Sequence, residues 1–252
     1  MGILIYKRRS FLSFIAIFLV LSFSAQSEQI NVVTEFLEPY QIQNADGSLG
    51  GFSTDVINSL FELTNDKANI KVMPWARAYE TALHQPNTLI YSIAHTPIRD
   101  KLFHWVGALK EERLFFWGLR KKFSNKNYQV NELKEYKIAV SRHSNTAQYV
   151  IAKEFTNIYQ LANERQNMDM LFIDRVDLIL ATKITIETRA KKLGYDFTEL
   201  QILTKEPVFN NKLSIAFSLN TPKKLVDKYK AAFQALIDNG RLAELKEKWK
   251  LH

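Results

Sequence analysis

The hydrophobic and polar positions of this chain switch between two periods, and the switching predicts short strands interleaved with amphipathic helices. INVVTE, from Ile30 to Glu35, reads as a strand, and Asn44-Ala45-Asp46-Gly47 reads as a turn. Thr54-Asp55 then opens a helix whose Val56, Ile57, Leu60, Phe61 and Leu63 fall at helical spacing. ANIKVMPW predicts a strand ended by Pro74, ARAYETALH a helix, and TLIYSIA, apolar at nearly every position, a strand buried on both faces. A second set begins near Arg113, with strands ERLFFWGLR, YKIAVS and VDLILAT, helices TAQYVIAKEF and RQNMDMLFID, and a helix ITIETRAKKLG stopped by Gly194. LSIAFSL is the last strand. Thr221-Pro222 supplies an N-cap and a first-turn proline for a helix striped by Leu225, Val226, Tyr229, Phe233, Leu236 and Ile237 and closed at Asn239-Gly240. RLAELKEKWK forms a short terminal helix. Strands alternating with helices throughout mean an α/β fold.

Ahead of the first strand, Lys7, Arg8 and Arg9 precede the apolar run Phe11 to Phe23 and then Ser24-Ala25-Gln26-Ser27. Basic, apolar and small residues in that order read as a secretory signal peptide over residues 1–27, and cleavage after Ser27 leaves Glu28 first. The apolar run is short against the roughly 20 residues of a membrane-spanning helix. The apolar Ile3 to Tyr6 leaves an uncleaved anchor as the alternative.

With 252 residues, 46% of them hydrophobic, the chain can bury one large core or two modest ones. Removing three basic residues and no acidic ones lowers the formal charge from +8 to +5, and the remaining basic pairs, such as Lys121-Lys122 and Lys191-Lys192, lie far apart in sequence. That pattern is a solvated surface and not a nucleic-acid-binding stripe. The chain has no cysteine, which excludes a disulfide framework, a thiol nucleophile, a cysteine zinc site and a lipid-modified cysteine anchor. The expected location is therefore the periplasm, unanchored.

Catalytic motifs are missing: there is no G-x-S-x-G elbow, P-loop or G-x-G-x-x-G. His84, His95, His104, His143 and His252 lack metal-site spacing. The reading is no catalytic residue, no metal and no cofactor, with a Ser-His-Asp set assembled only in three dimensions left open.

Five segments carry a resemblance in register: Gly51-Phe52-Ser53-Thr54-Asp55-Val56, Pro74-Trp75-Ala76-Arg77-Ala78, Thr96-Pro97-Ile98-Arg99-Asp100, Asp174-Arg175-Val176-Asp177, and the ending from Asp238-Asn239-Gly240-Arg241 to Lys248-Trp249. Together they resemble the bacterial extracellular solute-binding proteins of family 3, the periplasmic amino-acid-binding components of ABC importers. The resemblance implies two α/β lobes with two hinge crossings and a central ligand cleft that closes about the hinge. On this chain the crossings are expected near Leu114 to Gly118 and near Ile215 to Phe217. Lobe 1 is then residues 28–115 plus 216–252, and lobe 2 is residues 116–215.

The resemblance also implies a site. Arg99 stands at the carboxylate-binding arginine, a planar donor fork suited to that group. Ser92 stands at a ligand hydrogen-bonding position, and Ser144-Asn145-Thr146 opens a helix whose N–H groups attract an anion. Tyr40, Phe52 and Trp75 resemble the aromatic wall, and Glu35 is placed to meet a ligand amine. Each also has an ordinary structural reading: a surface arginine, a plain N-cap, core aromatics, a solvated strand-end acid. Two departures matter. Thr182 stands where the family's amino-acid binders carry an acid for the ligand's ammonium, and Ala94 where a hydroxyl is common. Either Glu35 or Asp177 takes over the ammonium, or the ligand is not an α-amino acid. The implied partners are a small-molecule ligand and an inner-membrane ABC permease, with no nucleic acid, and the chain is expected to be a monomer. Rival readings are a dehydratase-like enzyme on the same fold and a sensor accessory without transport.

Overall fold

The computed structural model describes residues 30–67 and 69–251, so the signal-peptide reading lies outside the described residues. The first half runs β1 (Asn31–Thr34), β2 (Ile42–Gln43), β3 (Leu49–Gly50), α1 (Phe52–Thr64), β4 (Asn69–Val72), α2 (Trp75–His84), β5 (Thr88–His95) and the long β6 (Phe103–Leu119). The second half runs α3 (Val130–Leu133), β7 (Ile138–Ser141), α4 (Asn145–Ala152), β8 (Ile158–Leu161), α5 (Glu164–Phe172), β9 (Leu178–Ala181), α6 (Lys183–Leu193), β10 (Leu200–Ile202) and β11 (Phe209–Ser218). Two helices end the chain, α7 (Lys223–Asp238) and α8 (Arg241–Lys248).

The strands lie in the order β4-β1-β5-β11-β6-β9-β7-β8, with β10 also on β6. β1 pairs in parallel with β4 and β5, and β7 pairs in parallel with β8 and β9. β6 and β11 pair antiparallel to each other and tie the two parallel groups together. β6 changes partner along its length. Leu114 still faces Phe209 of β11, whereas Phe115 to Trp117 pair with β9 and Trp117 to Leu119 with β10. On β11, Lys212 onwards also pairs with β5.

Helices cover both faces of each parallel group, which is why β5, β7 and β9 are apolar and buried almost end to end. On one side of the first group, Val56, Ile57 and Leu60 of α1 share a core with Leu225, Val226, Tyr229 and Phe233 of α7; on the other, Ala78, Tyr79 and Ala82 of α2 pack on Val33, Ile90 and Ile93. Separate clusters serve the second group, around Phe116, Val140, Val150 and Leu180 and around Trp117, Met168, Leu171 and Ile186.

Local differences from the sequence expectations have physical causes. Leu63 and Ile237 fall on the edge of their helical stripes and are half exposed. Pro222, not Thr221, is the N-cap of α7, because the Thr221 hydroxyl is engaged with Ser218 at 2.9 Å. β8 has no buried residue in the pattern of an inner strand, which hides it from periodicity. β6 begins nine residues before the expected Glu112, its early half masked by Gly107, a residue that weakens a strand pattern.

That glycine is required by packing. A Cβ at Gly107 would lie 2.2 Å from ring carbons of Phe233 on α7. Gly107→Ala is expected to destabilise the fold by roughly 1–3 kcal/mol through overpacking, read as a lowered urea midpoint with an unchanged slope.

Candidate functional site

A cavity of about 60 Å³ lies between the two groups of strands, where the carboxyl ends of β1 and β5 meet the start of α4 and the end of β9. Open α/β sheets place ligands at that kind of edge. Of the residues singled out from sequence, Arg99, Ser92, Trp75, Glu35, Ser144, Thr146 and Thr182 line it together, and Ala94 does too.

Arg99 follows β5 and is fully buried. Its Nη1 donates to the Ala94 carbonyl at 3.2 Å and its Nη2 to the His143 carbonyl, across the cleft, at 2.7 Å. The guanidinium lies 4.9 Å from the ring centre of Tyr79 and 5.6 Å from that of Trp75. Among the described residues it has no carboxylate partner, and its Nε has no hydrogen-bond acceptor. Burial pulls its pKa down to about 10 from 12.5. At ~1.4 kcal/mol per unit, holding the charge there costs the ligand-free fold about 3 kcal/mol.

Ser92 owes its direction to a bulge. It has φ 56 in the middle of β5, opposite a register shift in β11 between Ser214 and Ile215, and the extra residue re-aims its side chain. Its Oγ accepts from Gln41 Nε2 at 2.6 Å and donates to Ser53 Oγ at 2.9 Å. Ser144 is the N-cap of α4, accepting from the Ala147 N–H at 3.0 Å and meeting Thr146 Oγ1 at 2.8 Å. The amides of Asn145 and Thr146 have no intrahelical acceptor at that end of a helix, and both residues line the cavity. Trp75 Nε1 is buried without a partner among the described residues.

Three residues from the sequence set stand elsewhere. Phe52 packs edge-on to Tyr40 at 6.4 Å inside the first core, and Tyr40 instead borders a second cavity of about 880 Å³ beside α8. Asp177 is tied to Lys122 at 2.8 Å and accepts from the Lys137 N–H at 2.9 Å, away from the cleft. Of the two acids weighed for a ligand ammonium, the structure brings only Glu35 to the cavity. Thr182 is spent as the N-cap of α6, accepting from the Thr185 N–H.

Two further acids line the cavity that sequence reading missed, Glu112 and Glu164. Glu164, at the start of α5, pairs with the buried Arg189 of α6 at 3.3 Å. Arg189 Nε also lies 3.8 Å from Glu38, and Lys192 bonds Glu38 at 2.7 Å, so an ionic latch joins the two sides of the cleft. Glu112 was legible in principle, because it alternates in phase with the buried Leu114 and Phe116 on β6. Burial pushes the Glu35 carboxyl well above the ordinary range, with the Glu164 charge adding to it. Burial likewise raises Glu112, to about 7. Tyr40 and Lys110 hold Glu112 down in part, although the Tyr40 hydroxyl reaches no hydrogen-bond geometry. Among the described residues no group of acids and histidines is arranged to hold a metal.

No family model and no curated protein matches the chain. Solved structures match its fold. A histidine kinase sensor domain described as similar to periplasmic binding proteins gives a TM-score of 0.79 at 12% identity, covering 88% of this chain and 96% of its own. A mutant of ArgBP from T. maritima gives 0.76 at 15% identity, covering 89% and 95%. The arginine-, lysine-, histidine-binding protein ArtJ from Geobacillus stearothermophilus gives 0.76 at 16% identity, covering 88% and 95%. The likeness is one of fold: this chain has the two-lobed α/β architecture of periplasmic binding proteins.

Glu112 gives the site a pH signature. A carboxyl raised to about 7 in the folded state carries no penalty below pH ~4.5, an increasing one up to 7, and the full one, about 3 kcal/mol, above it. Ligand-free Glu112→Gln is therefore expected to be more stable than the native protein at pH 8 and to lose that advantage at pH 4.5. Urea titrations at the two pH values check it.

Proposed function

We propose that this chain is a periplasmic solute-binding protein of the extracellular family 3 kind, capturing a small carboxylate-bearing solute, an amino acid or a relative, for an ABC importer. The observation that carries the reading is the buried Arg99, a cation with aromatic faces and two backbone carbonyls around it and no acid. A ligand carboxylate supplies the missing charge, held between the Arg99 fork on one lobe and the Asn145 and Thr146 amides on the other. Because the two donor sets belong to different lobes, the ligand gains both only when the cleft is closed, which is how it selects that state.

The lobes of this reading follow the expected division, with one refinement. β6 changes partner at Leu114–Phe115. On β11 the crossing is better put at Phe209–Lys212, because Ile215 to Phe217 already pair with β5 inside lobe 1. Ser92, Trp75 and Thr146 complete the ligand's surroundings, and Glu35 takes a ligand amine in the place of Thr182. The ligand seats of Tyr40, Phe52 and Asp177 are not retained. Neighbours of the same fold whose names specify arginine, or an amino acid ABC transporter, support the solute class. A sensing role without transport has one observation in its favour, the histidine kinase sensor domain among the similar structures.

The test is calorimetric titration of the purified protein with amino acids, small organic acids, amines and short peptides, alongside small-angle scattering. A binder should shrink the radius of gyration as the lobes close, and Arg99→Ala should weaken it at least a hundredfold, the order expected for a bidentate charged pair left unmade. No binding across the set, with turnover of prephenate lost in Glu35→Gln, would instead establish the enzyme.

A further inference from the structure

Charge balance in the cleft is uneven. Glu35, Glu112 and Glu164 line it against one cation, Arg99. Glu164 already has Arg189. Neither Glu35 nor Glu112 has an ion pair within 4 Å among the described residues. Two acids and one arginine without an ion-pair partner among the described residues are complemented by a solute with two cationic groups and one carboxylate.

Glu112 differs from Glu35 in where it stands. It lies on β6 three residues before Phe115, where that strand changes partner, and with Thr182 it borders both the small cavity and the larger one beside α8. Of these two residues between the cavities, only Glu112 can carry a charge. The buried Tyr40 hydroxyl beside it and the buried Trp75 Nε1 and Arg99 Nε on the cleft side have no partners among the described residues. Other charges stand around it. Lys110, on its own strand, donates to the Leu251 carbonyl at 3.1 Å. Lys183 at the start of α6, and Lys246 and Glu247 on α8, border only the outer cavity.

We infer that Glu112 is the specificity residue for a second cationic group on the ligand, so that the cleft prefers dibasic over neutral amino acids. This rests on the reading of the cleft as the ligand site. The alternative is a buried acid with a purely structural part. Pairing with a cation requires the ionised carboxylate, so binding a dibasic ligand draws a proton off Glu112 near neutrality. Tyr40, Lys110 and Glu164 are the nearest charged or titratable groups acting on this equilibrium, with Glu35 on the cleft side and Glu111, Arg113, Lys183, Lys246, Glu247 and Lys250 on the outer side.

The experiment titrates L-arginine, L-lysine and L-glutamine into native protein, Glu112→Gln, Glu112→Asp and Arg99→Ala by calorimetry at pH 6 and 8, with near-ultraviolet circular dichroism confirming each fold. Native protein should bind arginine or lysine at least tenfold tighter than glutamine at pH 8 and lose about tenfold of that affinity at pH 6, as the ionised fraction of a group titrating at about 7 falls. Glu112→Gln should lose tenfold or more for the dibasic ligands at pH 8, shrink their pH dependence and leave glutamine unaffected, while Glu112→Asp keeps the preference. Unchanged dibasic affinity and pH dependence in Glu112→Gln, or a native preference for glutamine, overturns the inference while leaving the cleft reading intact. Dibasic binding that survives Arg99→Ala undiminished removes the cleft reading itself.

Discussion

The structure turns on a guanidinium that has no counter-ion among the described residues. A buried arginine ordinarily sits with a carboxylate. Arg99 has carbonyls, two aromatic faces and an idle Nε. Burial of that charge carries a desolvation cost. Such a cost points to a candidate site, and the surrounding features belong to the same space: a bulge that turns Ser92 toward Gln41 and Ser53, and a capped helix whose first amides open there.

The second constraint is the antiparallel pair β6 and β11, on which both parallel groups hang. Each group has its own apolar core, so the cores do not weld the lobes together. What bridges the cleft is mostly polar, Arg99 to the His143 carbonyl and Glu38 to Lys192 and Arg189, with Ile184 of α6 packed on the first core and the Tyr79 and His143 rings stacked. Such contacts are few and local, and the β6–β11 pairing beneath them does not depend on them. Glu112 sits at the junction of the two constraints, on the shared strand and facing the cavity, so its protonation is sensitive to whatever the cleft holds.

Much of this was legible in the chain. The order of strands and helices follows from apolar periodicity, because covered parallel strands are apolar at every position and covering helices every third or fourth. β5 and α7 show this most clearly. The motif from Thr96 to Asp100 marked Arg99, which is buried and lines the cavity. The seats of Phe52 and Asp177 were not legible. A residue at the head of a helix can face either the cleft or the core, and Phe52 found more apolar contact inward against Tyr40 and Val56. Asp177 was drawn to Lys122, 55 residues away in sequence, a pairing no local pattern reveals.

By itself, then, the sequence determined the kind of elements and the α/β class, since those depend on neighbours a few residues apart. Tertiary structure decided which acids share a cavity with Arg99, since Glu35, Glu112 and Glu164 come from three separate parts of the chain and meet only when the halves fold across β6 and β11. Periodicity reports whether a side chain is covered. It carries no information about what charge covers it, because the electrostatics of a cleft depend on distances through space and not along the chain.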